Sequence, residues 1–313
     1  PTKGKCLVYQ EEFPTEDLEV HASACGDWKC HMENEEDVLH WLAAQVDASK
    51  EFCMCVSRTN LLECGLILWQ RQKNSSPVNP LKVTFMGEAG VDTGALRKEF
   101  LTEMIAGIEI PLFEGETGKG KMPKYSLNDL DNGLFRVAGE IFAVSLAHGG
   151  PASKFLQDWC YDFLLTGNLE NIDGKDIHDQ VFSSLIQMVE EVADLTSCTE
   201  QIINCGYTGP ITKDNKVKIK RAILLHSAAR RTTMLRQLRE GLQLYGLEVM
   251  ERNRELCRGL FVAGDSDEVD SYYIVSHLSP TMSEKGTQKH AAEMQILNNF
   301  QDFLQVLEAG FSY

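Results

Sequence analysis

Residues 81–100 read LKVTFMGEAGVDTGALRKEF. Leu81, Val83 and Phe85 alternate with Lys82, Thr84 and Met86, and a period of two predicts a strand with one buried face. Gly87, Glu88, Ala89 and Gly90 form a turn. Asp92 or Thr93 can then cap a helix that carries Leu96, Phe100 and Met104 at four-residue spacing, and Gly107 is expected to end it.

Outward from this unit the pattern is mostly helical. Val38, Leu42 and Val46 recur every four residues in a helix expected over 33–45, with acids in its first turn. Residues 52–57 are β-prone, and 70–80 (QRQKNSSPVNP) read as a loop. Residues 111–123 are expected to be a Gly- and Lys-rich loop. Residues 134–147 (LFRVAGEIFAVSLA) are apolar nearly all round and predict a buried helix. Further helices are expected over 155–165 and 179–192, with Asp173 or Asp176 as a cap for the second. Leu224, Ala228, Arg231, Leu235, Leu238, Leu242 and Tyr245 step by four and three. All but Arg231 are apolar, so a long amphipathic helix runs through them. A shorter helix is expected over 251–261. The chain closes with a helix striped by Met294, Leu297, Phe300, Leu304 and Leu307. Residues 1–33 are polar and predict no regular element. The fold class is α+β, mainly α-helical, with a few short strands.

The 313 residues suffice for one large or two ordinary domains. Lys+Arg is 30 against 46 Asp+Glu, a formal charge of −16, which argues against wrapping nucleic acid. No apolar run approaches the ~18 residues of a membrane span. The chain begins at Pro1 with no leader pattern and reads as a segment of something longer. Ten scattered cysteines fit reduced thiols in cytosol or nucleus. His21, Cys25, Cys30 and His31 are the one cluster to weigh for zinc, but four-residue cysteine spacing without a second pair favours no metal.

Few motifs announce chemistry. Gly115 to Lys121 (GETGKGK) has two residues before its Gly-Lys pair where a phosphate-binding loop has four, and Gly120 stands where Ser or Thr should. A mobile, solvated loop is the better expectation. Residues 213–239 hold nine cations against one acid, Asp214; they are expected to form the wet face of the long helix and to pair with acids elsewhere. His148, His178, His226, His277 and His290 are isolated, and Glu190 and Glu191 are expected to be solvated. Cys257, beside Leu256 and Leu260, reads as core.

The stretch from Leu81 to Phe100 resembles the opening signature of HECT-type ubiquitin ligases, a strand followed by G-E-x-G-x-D-x-G-G-L-x-[RK]-E-F. Gly87, Glu88, Gly90, Asp92, Gly94, Glu99 and Phe100 stand in place, Arg97 and Lys98 fill the basic segment, and Ala95 replaces the second paired glycine. Residues 134–147 and 163–173, then ITKDNK (211–216) for the family's V-T-x-x-N-K, LREGL (238–242) for its F-x-x-G-F, and 296–308 for the helix before its inter-lobe hinge follow in family order. The resemblance covers about 50–308 and is closest to the divergent cell-cycle-phase-specific members.

It implies a HECT N-lobe over 46–308 after an uncertain extension, 1–45, with an abbreviated conjugating-enzyme-binding subdomain at 175–215. It implies a ubiquitin-conjugating enzyme, ubiquitin and a protein substrate as partners, with no cofactor, nucleic acid or membrane. The family's catalytic cysteine lies in a C-lobe, and none of the ten cysteines here stands in that motif. Matched to the family's groove, Val181, Ser184 and Leu185 on one helix and Leu235 or Leu238 on the long helix would contact the enzyme, or these leucines are simply core. A family tyrosine falls on Glu191. Two functions follow from the resemblance: the docking half of a ligase, or a catalytically inactive HECT-like interaction module.

Overall fold

The computed structural model describes residues 3–5, 12–14, 32–71, 75–116, 118–169, 179–192, 194–264, 274–275, 278 and 280–310. The expected cap residues Asp173 and Asp176, and the His21, Cys25, Cys30 and His31 cluster, lie outside them. The chain divides into two units, Pro1–Gly264 and Asp265–Tyr313.

In the first unit, β1 (Lys3–Lys5) and β2 (Glu12–Pro14) pair antiparallel, where no element was expected. Helix α1 (Glu35–Ala44) follows, closed by an Asn34–Asp37 capping box. Strands β3 (Phe52–Val56) and β4 (Leu81–Phe85) pair in parallel through α2 (Leu61–Arg71), a helix not expected from the sequence. Leu81, Val83 and Phe85 are buried while Lys82 and Thr84 are exposed, the alternation read from the sequence, and β3 alternates likewise, with Phe52, Met54 and Val56 buried and Cys53 and Cys55 exposed.

Helix α3 (Ala95–Leu112) passes Gly107 without ending. A Cβ at Gly107 would lie 3.1 Å from Leu62 Cδ1, so this glycine serves the packing of α2 on α3 and not a helix stop. The expected loop after it is a hairpin of β5 (Phe113–Glu116) and β6 (Gly120–Pro123). Phe113 and Met122 anchor it in the core, and a Cβ at Gly120 would sit 2.7 Å from the Leu156 carbonyl oxygen. Gly120 thus lets two backbones approach, where a phosphate loop would leave its glycines open.

Helices α4 (Leu127–Asp131), α5 (Leu134–Ala147) and α6 (Asp158–Thr166) come next. Eleven of the fourteen residues of α5 are buried. After α7 (Gln180–Glu191) and α8 (Thr199–Asn204), the long helix α9 runs from Lys216 to Leu242 and ends in a 3-10 turn, Gln243–Tyr245. It crosses α5 at two glycines. A Cβ at Gly139 would lie 2.1 Å from the Leu238 carbonyl oxygen, and one at Gly241 would lie 2.1 Å from the Arg136 carbonyl oxygen. The expected helix over 251–261 is instead α10 (Glu248–Arg252), α11 (Arg254–Cys257) and a 3-10 turn, broken at Asn253, whose ψ of 41° leaves the helical region.

Two apolar clusters form. The main one gathers β3, β4, α3, α5, α6 and the C-terminal half of α9. A second, around Leu185, Val189, Ile202, Cys205, Ile219 and Ile223, joins α7 and α8 to the start of α9. In the second unit, α12 (Gln288–Gly310) carries the expected terminal stripe, and the Glu293 carboxylate accepts the Ser283 N–H and Oγ–H, each at 2.7 Å. Among the described residues no helix is long and apolar enough to cross a membrane.

His148, just past α5, braces the sheet. Its Nδ1 lies 2.9 Å from the Val144 carbonyl oxygen, and its Nε2 accepts the Leu81 N–H at 3.3 Å. Burial lowers the imidazole pKa from its ordinary 6.5, and the nearby Arg97 charge pushes the same way. The unfolded chain therefore binds this proton more readily than the folded one. The stability it supports is full above about pH 6.5 and is lost as pH falls through the lowered folded value. Urea melts at pH 7.5 and 5.5 will show this loss, and His148→Gln will shrink it; an unchanged difference would disprove the brace. Gly139→Ala forces α5 and α9 apart and will cost about 3 kcal/mol, at the upper end of overpacking. Gly264→Ala, with open space around it, will leave the melt within about 0.5 kcal/mol of wild type.

Candidate functional site

A groove of about 250 Å³ opens between α7, α8 and α9. Helix α7 presents Phe182, Ser184, Leu185 and Met188 to it; Phe182 and Leu185, Leu185 and Met188, and Ser184 and Met188 are neighbours on the helix surface. Helix α8 contributes Gln201 and Asn204, with Cys205 following, and α9 contributes His226. Leu185 and Cys205 are buried and form its floor; Ser184, Met188, Gln201 and Asn204 are exposed on its rim. The Phe182 and His226 rings meet edge to face at 5.7 Å. Burial lowers the His226 pKa and raises that of the Cys205 thiol, so both are neutral near pH 7. This lining can hold an apolar side chain and hydrogen-bond its flanks; it has no activated nucleophile.

Of the residues expected to line a groove, Ser184 and Leu185 do so, and the side chain of Val181 lies outside the described residues. Leu235 and Leu238 do not. Both are 0 % exposed and belong to the main core, where α9 packs on α5. The stripe through them is one face of one helix, but its two halves serve different clusters. His226 takes the place on the groove wall assigned to those leucines. Periodicity could not find it, because a histidine among the cations of α9 reads as wet face.

The second cluster is tied to the main body by Arg231, the polar exception on the apolar stripe. It is 2 % exposed. Its Nε donates to the Pro123 carbonyl oxygen at 2.9 Å, its Nη1 to Asp179 Oδ2 at 3.0 Å, and its Nη2 to Glu114 Oε1 at 2.5 Å. Asp179 also accepts the Ser227 hydroxyl. At the end of α7, Lys216 Nζ donates to the carbonyls of Glu190 and Val192, where a cation complements the helix dipole. Lys220 pairs with Glu190, and Arg239 with Glu251 at 2.6 Å, so several cations of α9 do pair with acids on other elements.

The 81–100 unit is built around Asp92. Its Oδ2 accepts the Val83 N–H at 3.0 Å, and its Oδ1 accepts the Gly94 N–H at 2.8 Å and the Arg97 N–H at 3.4 Å. One carboxylate thus caps α3 and fastens it to β4. The Gly94 φ of +123° requires glycine, whereas Ala95 is the first residue of α3 and needs no positive φ. The departure at Ala95 is therefore compatible with the turn. Glu88 and Glu99 clasp Arg58, whose guanidinium also lies 3.9 Å from the Phe85 ring centroid. That pairing lowers both carboxyl pKa values. Phe100 is fully buried.

The buried thiols are unsuited to nucleophilic work. Burial raises Cys160 well above its usual value and pushes Cys257 up to about 12. Cys53 and Cys55 are exposed on β3.

Asp92→Ala will strand these N–H groups and cost about 2 kcal/mol in urea unfolding, while Asp92→Asn, keeping one acceptor, will cost less. Equal melts for wild type and Asp92→Ala would contradict the cap.

No family model matches the chain. It is 27 % identical over 263 residues to the G2/M phase-specific E3 ubiquitin-protein ligase of Gallus gallus, a match covering 77 % of this chain and 34 % of that protein. The proteins of the same name in Homo sapiens and Macaca fascicularis are 26 % and 25 % identical over 210 and 195 residues. Those matches cover 61 % and 56 % of this chain, and 29 % and 27 % of the relatives. The chain spans about a third or less of the length of the curated relatives it matches.

Proposed function

We propose that this chain works in ubiquitin transfer as the docking lobe of a HECT-type ligase. It holds a ubiquitin-conjugating enzyme in the groove between α7, α8 and α9 while ubiquitin passes, as a thioester, to a cysteine elsewhere in the full protein. The observation that carries the reading is that groove: an open, half-apolar cleft on its own small cluster, in a chain similar to ubiquitin ligases. The ordered 81–100 unit supports the HECT assignment. A thiolate attacks the thioester carbonyl and the conjugating enzyme's thiol leaves, so the docking lobe need supply only position. Neutral Cys205 and His226 fit such a role. Cytosol or nucleus is the compartment this reading requires, a reducing setting that suits Cys53 and Cys55, exposed and outside any disulfide.

The departures from the family pattern, Glu191 in place of a tyrosine above all, favour a second reading: an interaction module that has lost the transfer reaction.

The test is an NMR titration of the folded chain against a panel of purified ubiquitin-conjugating enzymes. Leu185 is a poor site for a charge, because it is 6 % exposed and holds the second cluster together. Met188, exposed on the rim, is a better one. Saturable shifts around the groove with at least one enzyme, weakened about thirtyfold in Met188→Asp, are expected for a rim anchor worth about 2 kcal/mol. Silence across the panel from a folded protein would overturn docking and leave the interaction module.

A further inference from the structure

Helix α9 places Arg230 one turn beyond His226, on the same side of the helix as the groove. Its guanidinium carbon lies 4.3 Å from the Tyr125 ring centroid and 5.9 Å from that of Phe182, so two rings fix its position. Tyr125 is itself exposed, and Phe182 is a lining residue of the groove, so Arg230 stands beside the groove at the surface. Ring faces attract a cation but carry no net charge.

Three other cations of α9 have carboxylate partners, whereas Lys218, Arg221 and Arg236 are exposed and, among the described residues, have neither an ion pair nor a ring to hold them. Arg231 meets Asp179 and Glu114, Lys220 meets Glu190, and Arg239 meets Glu251. Among the described residues no carboxylate stands within ion-pair distance of Arg230, in a chain of 46 acids and a net charge of −16. Its charge is felt inside the groove, where it opposes protonation of His226 and favours the Cys205 thiolate against burial.

We propose that Arg230 receives a carboxylate of the docked partner, so that the groove selects a conjugating-enzyme loop whose apolar anchor has an acidic residue beside it. This inference rests on the docking reading above. A planar guanidinium held between rings is preorganised for a carboxylate, and little side-chain freedom is lost on pairing. The apolar side chain fills the space over Leu185 and Cys205; the acid decides which enzymes are accepted.

The experiment is calorimetric titration of the folded chain with purified ubiquitin-conjugating enzymes that have or lack an acid next to the apolar loop residue, at low and high salt. The acidic set is expected to bind more tightly. Arg230→Gln should weaken that set about tenfold, the scale of one charge-assisted hydrogen bond, and reduce its salt dependence. Arg230→Lys should retain most of the binding, and reversing the loop acid to lysine should rescue Arg230→Glu. A purely structural stacking role would move the melting temperature but would show neither the salt effect nor the rescue. Binding that is lost in Met188→Asp yet unchanged in Arg230→Glu would overturn this inference and leave docking intact. No binding by any enzyme would overturn both.

Discussion

The contact between Gly139 and Gly241 governs the architecture. With no side chain at either position, the backbones of α5 and α9 meet where any Cβ would lie about 2 Å from a carbonyl oxygen. Two consequences follow. Helix α5 sinks far enough to be buried nearly all round, and α9 is held against it along its C-terminal half. Because α9 has 27 residues, a span of about 40 Å, its N-terminal half extends beyond the main core and offers a second site for packing. The small cluster with α7 and α8 assembles there.

The groove on the satellite cluster is placed firmly without being absorbed into the core. Arg231 supplies the tie. It bridges the hairpin carbonyl of Pro123, the Glu114 carboxylate and Asp179 just before α7 from a single buried side chain. A buried guanidinium with its donors satisfied holds elements at fixed distances, which an apolar contact does less strictly. Beyond this tie the groove keeps polar, exposed groups on its rim. Such a surface suits reversible contact with a partner better than it suits a reactive thiol.

The Asp92 unit shows similar economy within the main body. One carboxylate orders the turn, starts α3 and links it to β4, and Arg58 draws Glu88 and Glu99 together over the Phe85 ring. These contacts account for Asp92 and Gly94 by the geometry of the turn and for Glu88 and Glu99 by the ion pairs with Arg58. They position the scaffold and do not themselves make a binding surface.

What was legible from sequence alone was local. The alternation of Leu81, Val83 and Phe85, the all-round apolarity of 134–147 and the stepping from Leu224 to Tyr245 each report one element's own period, and each element is present. The mainly helical α+β class follows from them. Nearest-neighbour pattern could not say which of two clusters a residue of one long stripe would enter, so Leu235 and Leu238 are core while His226 lines the groove. Nor could it tell a glycine that ends a helix from one that admits a neighbouring chain, so Gly107 lies within α3 and the Gly-rich stretch after it is a hairpin. Both ambiguities have the same origin. Burial, close approach and ion pairing join residues from separate elements, such as Gly107 with Leu62 and Gly139 with Leu238, and the tertiary fold alone brings them together.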